Sequence, residues 1–112
     1  MTPLLAMTTL PDAASARALA SDLVALRLAA CISILAPCRS VYRWDGKIED
    51  AEEVPLLIKT TAERYPALED AIRARHPYEL PEIIAVPIAH GLPAYLGWIA
   101  HETTDSFTQD TP

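Results

Sequence analysis

Glycine is scarce in this sequence, with three residues among 112, and phenylalanine occurs once. The three glycines, Gly46, Gly91 and Gly97, lie far apart. The sequence therefore has no glycine-rich loop of the kind that cradles a phosphate. Long apolar runs are also missing, and none is long enough to span a bilayer. The N-terminal segment has no basic region before its short apolar run, so we expect no signal peptide and a cytoplasmic location.

Cysteine is nearly as scarce, because the chain has only Cys31 and Cys38. Two cysteines do not make a disulfide framework. If the chain between them is extended, their Cα atoms lie roughly 20 Å apart, whereas a disulfide needs less than about 7 Å. Only a sharp reversal of the chain near Pro37 would bring them together.

Positive charge is in deficit: nine Lys and Arg face fifteen Asp and Glu, which gives a net charge of −6. Nucleic acid is disfavoured as a partner, because binding phosphates requires clustered basic residues. Hydrophobic residues make up 51% of the chain, which is enough for a core without metals or disulfides. We predict one domain over residues 1–112, with a loose polar tail from about residue 105.

The chain begins with an apolar strand from Pro3 to Leu10, predicted to be central in a sheet because its sequence does not alternate. Asp12 is the expected N-cap of a helix that runs to about Leu28. This helix should bury the stripe formed by Leu19, Leu23 and Leu26.

A long β-hairpin is predicted from Ala29 to Thr61. Asp45-Gly46 provides the tight turn, since a primed turn needs positive φ. Each arm is about a dozen residues long, roughly twice the usual strand length. Pro37 in the first arm predicts a bulge or bend, and Pro55 in the second predicts a bulge or an edge.

The remaining elements follow from proline and apolar spacing. A second helix opens at residues 60–63 with Pro66 in its first turn, and it ends near Arg75. An extended linker follows, because prolines keep their preceding residues out of the helical region. The last two elements are a strand from Glu82 to Ile88 and a helix that begins at Pro93.

The element order is β-α-β-β-α-β plus a C-terminal helix, which defines an α+β, ferredoxin-like fold. Such a sheet carries its helices on one face. Apolar residues on both sides of the strands indicate that the other face is also covered, and self-association would cover it. Tyr42 and Trp44 near the hairpin tip favour an interface there, although cross-strand pairing of a solvent-exposed hairpin would also explain them.

Several segments together identify the chain as similar to the CutA divalent-cation tolerance family. They are TTLPD, RLAACISIL, SVYRWDGKIED, LLIKTT, HPYELPEIIAVPI and PAYLGWI, spread from Met7 to about Glu102. The resemblance implies a PII-like homotrimer in which sheets continue between subunits. It also implies a role in tolerance of, or response to, divalent metal ions such as copper.

The same resemblance implies Cys31 and His76 as metal ligands, for Cu(II) or another divalent cation. Arg75 stands where some relatives have a second histidine. Thiolate and imidazole suit copper and zinc, but two ligands do not close a site, so we expect no tightly bound metal. The alternatives are that Cys31 is a buried apolar filler and that His76 only ends a helix. No role is predicted for Cys38.

The resemblance further places a set of characteristic residues at an inter-subunit cleft: Trp44, Lys59, Tyr78, Glu82 and Trp98. Lys59 follows an apolar run, and Glu82 is the candidate partner for its charge. The cleft residues either stabilise the trimer or line the pocket of a PII-like effector or scaffold module that binds a small molecule, an anion or a partner protein.

An enzyme is an alternative class of protein for this element order. Acylphosphatases share the element order, but they need an anion-binding loop with an Arg after the first strand. Residues 8–12 here end in Asp12, an acid where an anion would bind. We therefore predict no catalysis.

Overall fold

The computed structural model describes residues 1–104, and the polar tail predicted from residue 105 lies outside this range. The strands are β1 (Pro3–Leu10), β2 (Cys31–Ile34), β3 (Cys38–Trp44), β4 (Lys47–Thr61) and β5 (Ile84–Pro87). The helices are α1 (Ala13–Ala25), α2 (Tyr65–Arg75) and α3 (Pro93–Glu102). The strands form an antiparallel sheet in the order β2-β4-β1-β5, and β3 also pairs with β4. This is the predicted α+β, ferredoxin-like arrangement, and β1 is central as expected.

The hairpin turn has the predicted geometry. Trp44 pairs with Lys47, so Asp45 and Gly46 alone form the loop. Their φ angles are 51° and 76°, both positive, as a two-residue primed turn requires. Asp45 and Gly46 therefore adopt the turn conformation that the sequence pattern predicts.

A bulge divides the first arm of the hairpin into β2 and β3. Ile34 pairs with Leu56 and Cys38 pairs with Glu53, so residues 35–37 lie opposite only residues 54–55. The carbonyl of Pro55 accepts a 3.0 Å hydrogen bond from the Leu35 amide. The amide and the carbonyl of a strand residue point to the same side, so the nitrogen of Pro55, which carries no hydrogen, also faces the bulge. The bulge predicted at Pro37 is confirmed, and Pro55 is tolerated in a central strand because it faces that bulge.

The first helix is shorter than predicted. Asp12 is its N-cap and accepts a 2.8 Å hydrogen bond from the Ser15 amide. The helix ends at Ala25 rather than near Leu28, because Arg27 adopts a φ of 59°. The amides of Arg27 and Leu28 close a Schellman motif. Ala16 and Ala20 complete the buried stripe, while Leu26 is exposed.

Two other boundaries also differ from the prediction. Thr60 and Thr61 are buried at the end of β4 and do not open a helix, because the Thr60 hydroxyl bonds the Leu28 carbonyl at 2.8 Å. Helix α2 begins at Tyr65 with a proline in its first turn, as expected. The last strand covers Ile84–Pro87 rather than Glu82–Ile88, since its register with β1 runs from Met7 opposite Ile84 to Leu4 opposite Pro87, and beyond it only the Ile88 amide bonds the Pro3 carbonyl at 3.1 Å.

One face of the sheet packs against helices α1 and α2. Its core includes Ala6, Leu10, Leu19, Leu23, Val54, Leu56, Ile58, Leu68 and Ile72. The opposite face is only partly covered, and we call it the open face. Its strand residues include Leu5, Met7, Cys31, Ser33, Leu57, Lys59, Ile84 and Val86. Among the described residues, no helix is both long enough and apolar enough to cross a membrane.

Candidate functional site: the open face and its groove

A small polar cluster lies at one end of the open face, where Cys31 is paired with Lys59 across β2 and β4. Directly opposed residues share a face, so both side chains project from the open side. The Nζ atom of Lys59 donates a 2.7 Å hydrogen bond to the hydroxyl of Ser33 and lies 3.9 Å from Sγ of Cys31. Within the described chain, Lys59 therefore bonds these side chains, and no ion pair joins it to Glu82 as the sequence suggested.

Helix α3 brings two aromatic residues to this cluster. Tyr95 lies next to the Cys31 thiol, and its pKa is raised first by burial and then by this thiol. The rings of Tyr95 and Trp98 lie 5.6 Å apart. Ile99 on the same helix is fully buried, whereas Trp98 is 42% exposed. Helix α3 therefore has a buried side and an aromatic side that the described chain covers only in part.

A groove of about 1250 Å³ lies further along, between the hairpin and the linker that follows α2. Its walls carry three aromatic side chains, those of Tyr42, Trp44 and Tyr78. The lining also includes four glutamates and one arginine: Glu52, Glu53, Glu79, Glu82 and Arg43. The groove is thus lined by both aromatic and acidic side chains.

Glu53 lies in this groove and is only 8% exposed. Its Oε2 atom accepts a 3.1 Å hydrogen bond from the Thr9 hydroxyl. The Tyr78 hydroxyl is a second donor to the same carboxylate. Burial, followed by this hydrogen bond and the negative charge of Glu53, raises the pKa of Tyr78 to about 12. Tyr78 therefore stays protonated and donates across the whole physiological pH range.

His76 fastens the linker to the sheet. Its Nδ1 accepts a 3.1 Å hydrogen bond from the Tyr78 amide, so the neutral ring carries its proton on Nε2. Nε2 donates to the carbonyl oxygen of Thr9 at 2.7 Å. The rings of His76 and Tyr78 lie 4.8 Å apart. His76 thereby sets the position from which Tyr78 reaches Glu53.

The two residues proposed as metal ligands are not neighbours within one chain. Cys31 is opposite Lys59, and Thr9, which His76 contacts, is opposite Pro55. Along β4, Pro55 and Lys59 are four residues apart, which corresponds to about 13 Å. Within residues 1–104, no three His, Cys, Asp or Glu side chains are grouped so that they could hold a metal ion.

The five predicted cleft residues fall into two groups. Trp44, Tyr78 and Glu82 line the groove. Lys59 and Trp98 belong to the other end of the open face, beside Cys31 and Tyr95 respectively. Sequence reasoning found both ends but treated them as one site.

Two residues of the groove, Glu53 and Thr9, escaped the sequence analysis. Glu53 is one of several acids in the run from Glu49 to Glu53, which the sequence predicts to meet a neighbouring copy, and Thr9 lies in the segment 8–12 that was weighed only as an anion-binding loop. The signal available was the position of Glu53 directly before the buried stretch of β4. Periodicity alone does not tell which acid of such a run is buried.

The loop after β1 does not offer an anion site. The carboxylate of Asp12 accepts the Ser15 amide at the start of α1. This hydrogen bond holds the pKa of Asp12 below its usual value. The first turn of the helix is thus occupied by the protein's own negative charge, and a phosphate would be repelled there.

The fold and the open face define a ferredoxin-like α+β protein with an extended hairpin, and comparisons with known proteins agree. The family model described as CutA1 divalent ion tolerance protein matches residues 4–102. The divalent-cation tolerance protein CutA of Thermus thermophilus is 43% identical over 97 residues, covering 87% of this chain and 94% of that protein. The chain belongs to the CutA1 divalent ion tolerance protein family, as the sequence resemblance indicated.

Solved structures agree with this assignment. The CutA1 crystal structure from Shewanella sp. SIB1 superimposes with a TM-score of 0.88 at 44% identity, covering 91% of this chain and 95% of that one. CutA1 from Oryza sativa gives a TM-score of 0.91 at 35% identity, with 95% and 97% covered.

Proposed function

We propose that this protein is a homotrimer that serves in tolerance of divalent metal ions, copper among them, through weak cation binding and without catalysis. The observation that carries the trimer is apolar surface that the described chain leaves uncovered. Ile84 and Val86 on β5 are 52% and 54% exposed, and Trp98 on α3 is 42% exposed. A second copy of the chain would cover this face.

The hairpin supports the same proposal. Strand β1 pairs only with residues 54–61 of β4, so residues 47–53 pair with β3 alone. A two-stranded ribbon is marginally stable by itself, and its free edge can pair with a neighbouring sheet. The molecule is elongated, 54 × 28 × 23 Å, with a radius of gyration of 15.0 Å. About 13 Å is usual for a chain of this length.

The proposed metal ligands are the thiol of Cys31 and the imidazole of His76, each in a site that neighbouring copies would complete. Both sulfur and nitrogen suit copper. Two observations favour weak affinity. The described part of one chain groups no three ligand side chains, and both nitrogens of His76 already bond the backbone. A metal would have to displace one of these hydrogen bonds.

Free thiols fit the cytoplasmic location, which we propose as well. Cys31 and Cys38 are both free, and the second is exposed. Exposed thiols persist where the compartment is reducing. Fractionation of the native host tests this location, and recovery outside the cytoplasm would contradict it.

The metal proposal is tested by calorimetric titration of Cu(II). We expect weak binding to the wild type and a loss of about tenfold or more in affinity for the Cys31→Ser, His76→Ala double variant. Cys38→Ser is the matched control, because it removes an exposed thiol. Equal affinities for the wild type and the double variant would refute these ligands. Light scattering tests the trimer, with an expected mass three times the 12.2 kDa of one chain.

A second candidate function is favoured by the groove: a PII-like effector module that binds a small molecule or a partner at the subunit cleft. The groove of about 1250 Å³ combines aromatic walls with a buried carboxylate. Sites for small molecules have this combination of apolar walls and few polar groups. Screening compounds against the trimer by thermal shift tests this candidate.

A further inference from the structure

The charge of Glu53 lacks a positive partner within the described chain. The side chain is nine-tenths buried, and its two described partners are the neutral hydroxyls of Thr9 and Tyr78. The ion pairs of the described residues do not include Glu53. A buried carboxylate is costly without a countercharge. A carboxylate can accept about four hydrogen bonds, so Glu53 has room for another donor from the groove.

The groove around Glu53 is shaped for a cation that carries an apolar group. On the hairpin, Tyr42 and Trp44 have the same strand parity as Glu53, so the three side chains project from one face. Tyr78 stands across from them on the linker. Aromatic faces attract ammonium groups, and tryptophan does so most strongly. The lining holds four acids against the single Arg43, so its net charge is negative.

We propose that this groove binds a small organic ammonium ion with an aromatic or alkyl substituent. The ammonium group donates to the Glu53 carboxylate, and the substituent packs against Tyr42, Trp44 and Tyr78. The inference rests on the second candidate function and names the chemical class of its ligand. Desolvation of the pair in the groove strengthens the attraction between the ammonium and the carboxylate.

Other ligand classes fit the groove less well. An anion would meet four glutamates. A transition metal would need several ligand atoms at one point, and within residues 1–104 the acids of the groove do not form such a group. A neutral apolar molecule would leave the charge of Glu53 uncompensated. An organic ammonium ion satisfies both the aromatic walls and the carboxylate.

The experiment compares three probes of nearly equal shape on the full-length protein in its native assembly. Phenethylammonium carries the positive charge, phenethyl alcohol is its neutral counterpart, and phenylacetate is negative. Calorimetry reports binding, and so does the intrinsic tryptophan fluorescence, to which Trp44 in the groove contributes. We expect phenethylammonium to bind about tenfold or more tightly than the alcohol, and phenylacetate not to bind.

Two variants localise the binding. Glu53→Gln keeps the size and an acceptor for Tyr78 but removes the charge, and it should weaken phenethylammonium binding by about tenfold or more. Asp50→Asn makes the same change of charge on the same strand. Asp50 projects from the opposite face of the hairpin, is exposed and does not line the groove, so the affinity of this variant for the probe should be unchanged. Circular dichroism confirms that both variants are folded.

The proposal is overturned if phenethyl alcohol binds as tightly as phenethylammonium, or if the two variants behave alike. It is also overturned if no probe binds the native assembly, since the groove would then be filled by a second copy of the chain. A Cys31→Ser variant separates this inference from the metal proposal, because Cys31 lies at the other end of the open face. This variant should lower Cu(II) affinity and leave phenethylammonium binding unchanged. A compound from the thermal-shift screen that binds the groove without an ammonium group would support the effector function while overturning this inference.

Discussion

The imidazole of His76 lies 2.7 Å from the carbonyl oxygen of Thr9, and this bond ties the linker after α2 to the end of the central strand. The residue was selected from the sequence as a metal ligand. In the fold its two nitrogens hold the backbone at Thr9 and Tyr78. The position of Tyr78 against Glu53 therefore depends on a histidine two residues earlier in the chain.

We predict that His76→Ala lowers the free energy of unfolding by about 1–3 kcal/mol, because it leaves the Thr9 carbonyl and the Tyr78 amide without their partner. Urea unfolding at fixed protein concentration measures this change. His90→Ala is the control, since His90 is exposed in the turn before α3. A loss no larger than that of His90→Ala would show that the linker does not need this clamp.

We predict that the hydroxyl of Tyr78 makes stability fall at alkaline pH. Its pKa is about 12 in the folded chain and 10.0 in the ordinary state. Below pH 10 both the folded and the unfolded chains keep the proton. Between pH 10 and 12 the unfolded chain loses it first, so the folded state loses relative stability as the pH rises.

The measurement compares the wild type with Tyr78→Phe, which cannot ionise. The advantage of the wild type in unfolding free energy should be fully present below pH 10 and should shrink by about 1–2 kcal/mol toward pH 12. Parallel pH profiles for the two proteins would be inconsistent with the hydrogen bond to Glu53.

We predict that Trp98→Ala weakens self-association by about tenfold or more, because a half-exposed tryptophan on the open face is the kind of residue that anchors an interface. Sedimentation velocity over a dilution series measures the change. Val24→Ala is the control, since Val24 is also 42% exposed but lies on α1, which packs against the other face of the sheet. If Trp98→Ala remains a trimer with unchanged heat resistance, Trp98 does not stabilise the assembly.

We predict opposite contributions from the backbone and the side chain of Arg27. Its φ of 59° disfavours any side chain and favours glycine. Its guanidinium, however, bonds the carbonyl oxygens of His101 and Thr104 at 3.0 and 3.1 Å. Arg27→Ala loses these bonds and keeps the strain, whereas Arg27→Gly loses the bonds and relieves it.

Arg27→Gly should therefore be more stable than Arg27→Ala by about 1 kcal/mol, as measured by urea unfolding. Both variants should be less stable than the wild type, because both lose the guanidinium bonds. A glycine variant less stable than the alanine variant would disprove the strain at this position.

Much of the fold followed from local signals. Asp12 caps α1, Asp45-Gly46 turns the hairpin, and proline opens α2 and α3, because each of these residues has a backbone preference that acts within a few positions. The end of α1 was predicted too late for the same reason. No glycine marks its C-terminus: Arg27 takes the left-handed position of the Schellman motif, and its guanidinium bonds carbonyls at positions 101 and 104, which local reasoning does not see.

For the candidate site, too, local signals predicted some features and long-range contacts decided the others. The amino-acid sequence by itself determined the family, the element order and the long hairpin with its aromatic tip, since these depend on residue types and short spacings.

Only the tertiary structure decided which acid is buried. Glu53 contacts Thr9 and Tyr78, which come from two other parts of the chain. It also separated Cys31 from His76, because the register of β1 and β2 on β4 sets them at different levels of the sheet. Contacts between distant positions arise from packing and strand register, and neither is written in any single segment.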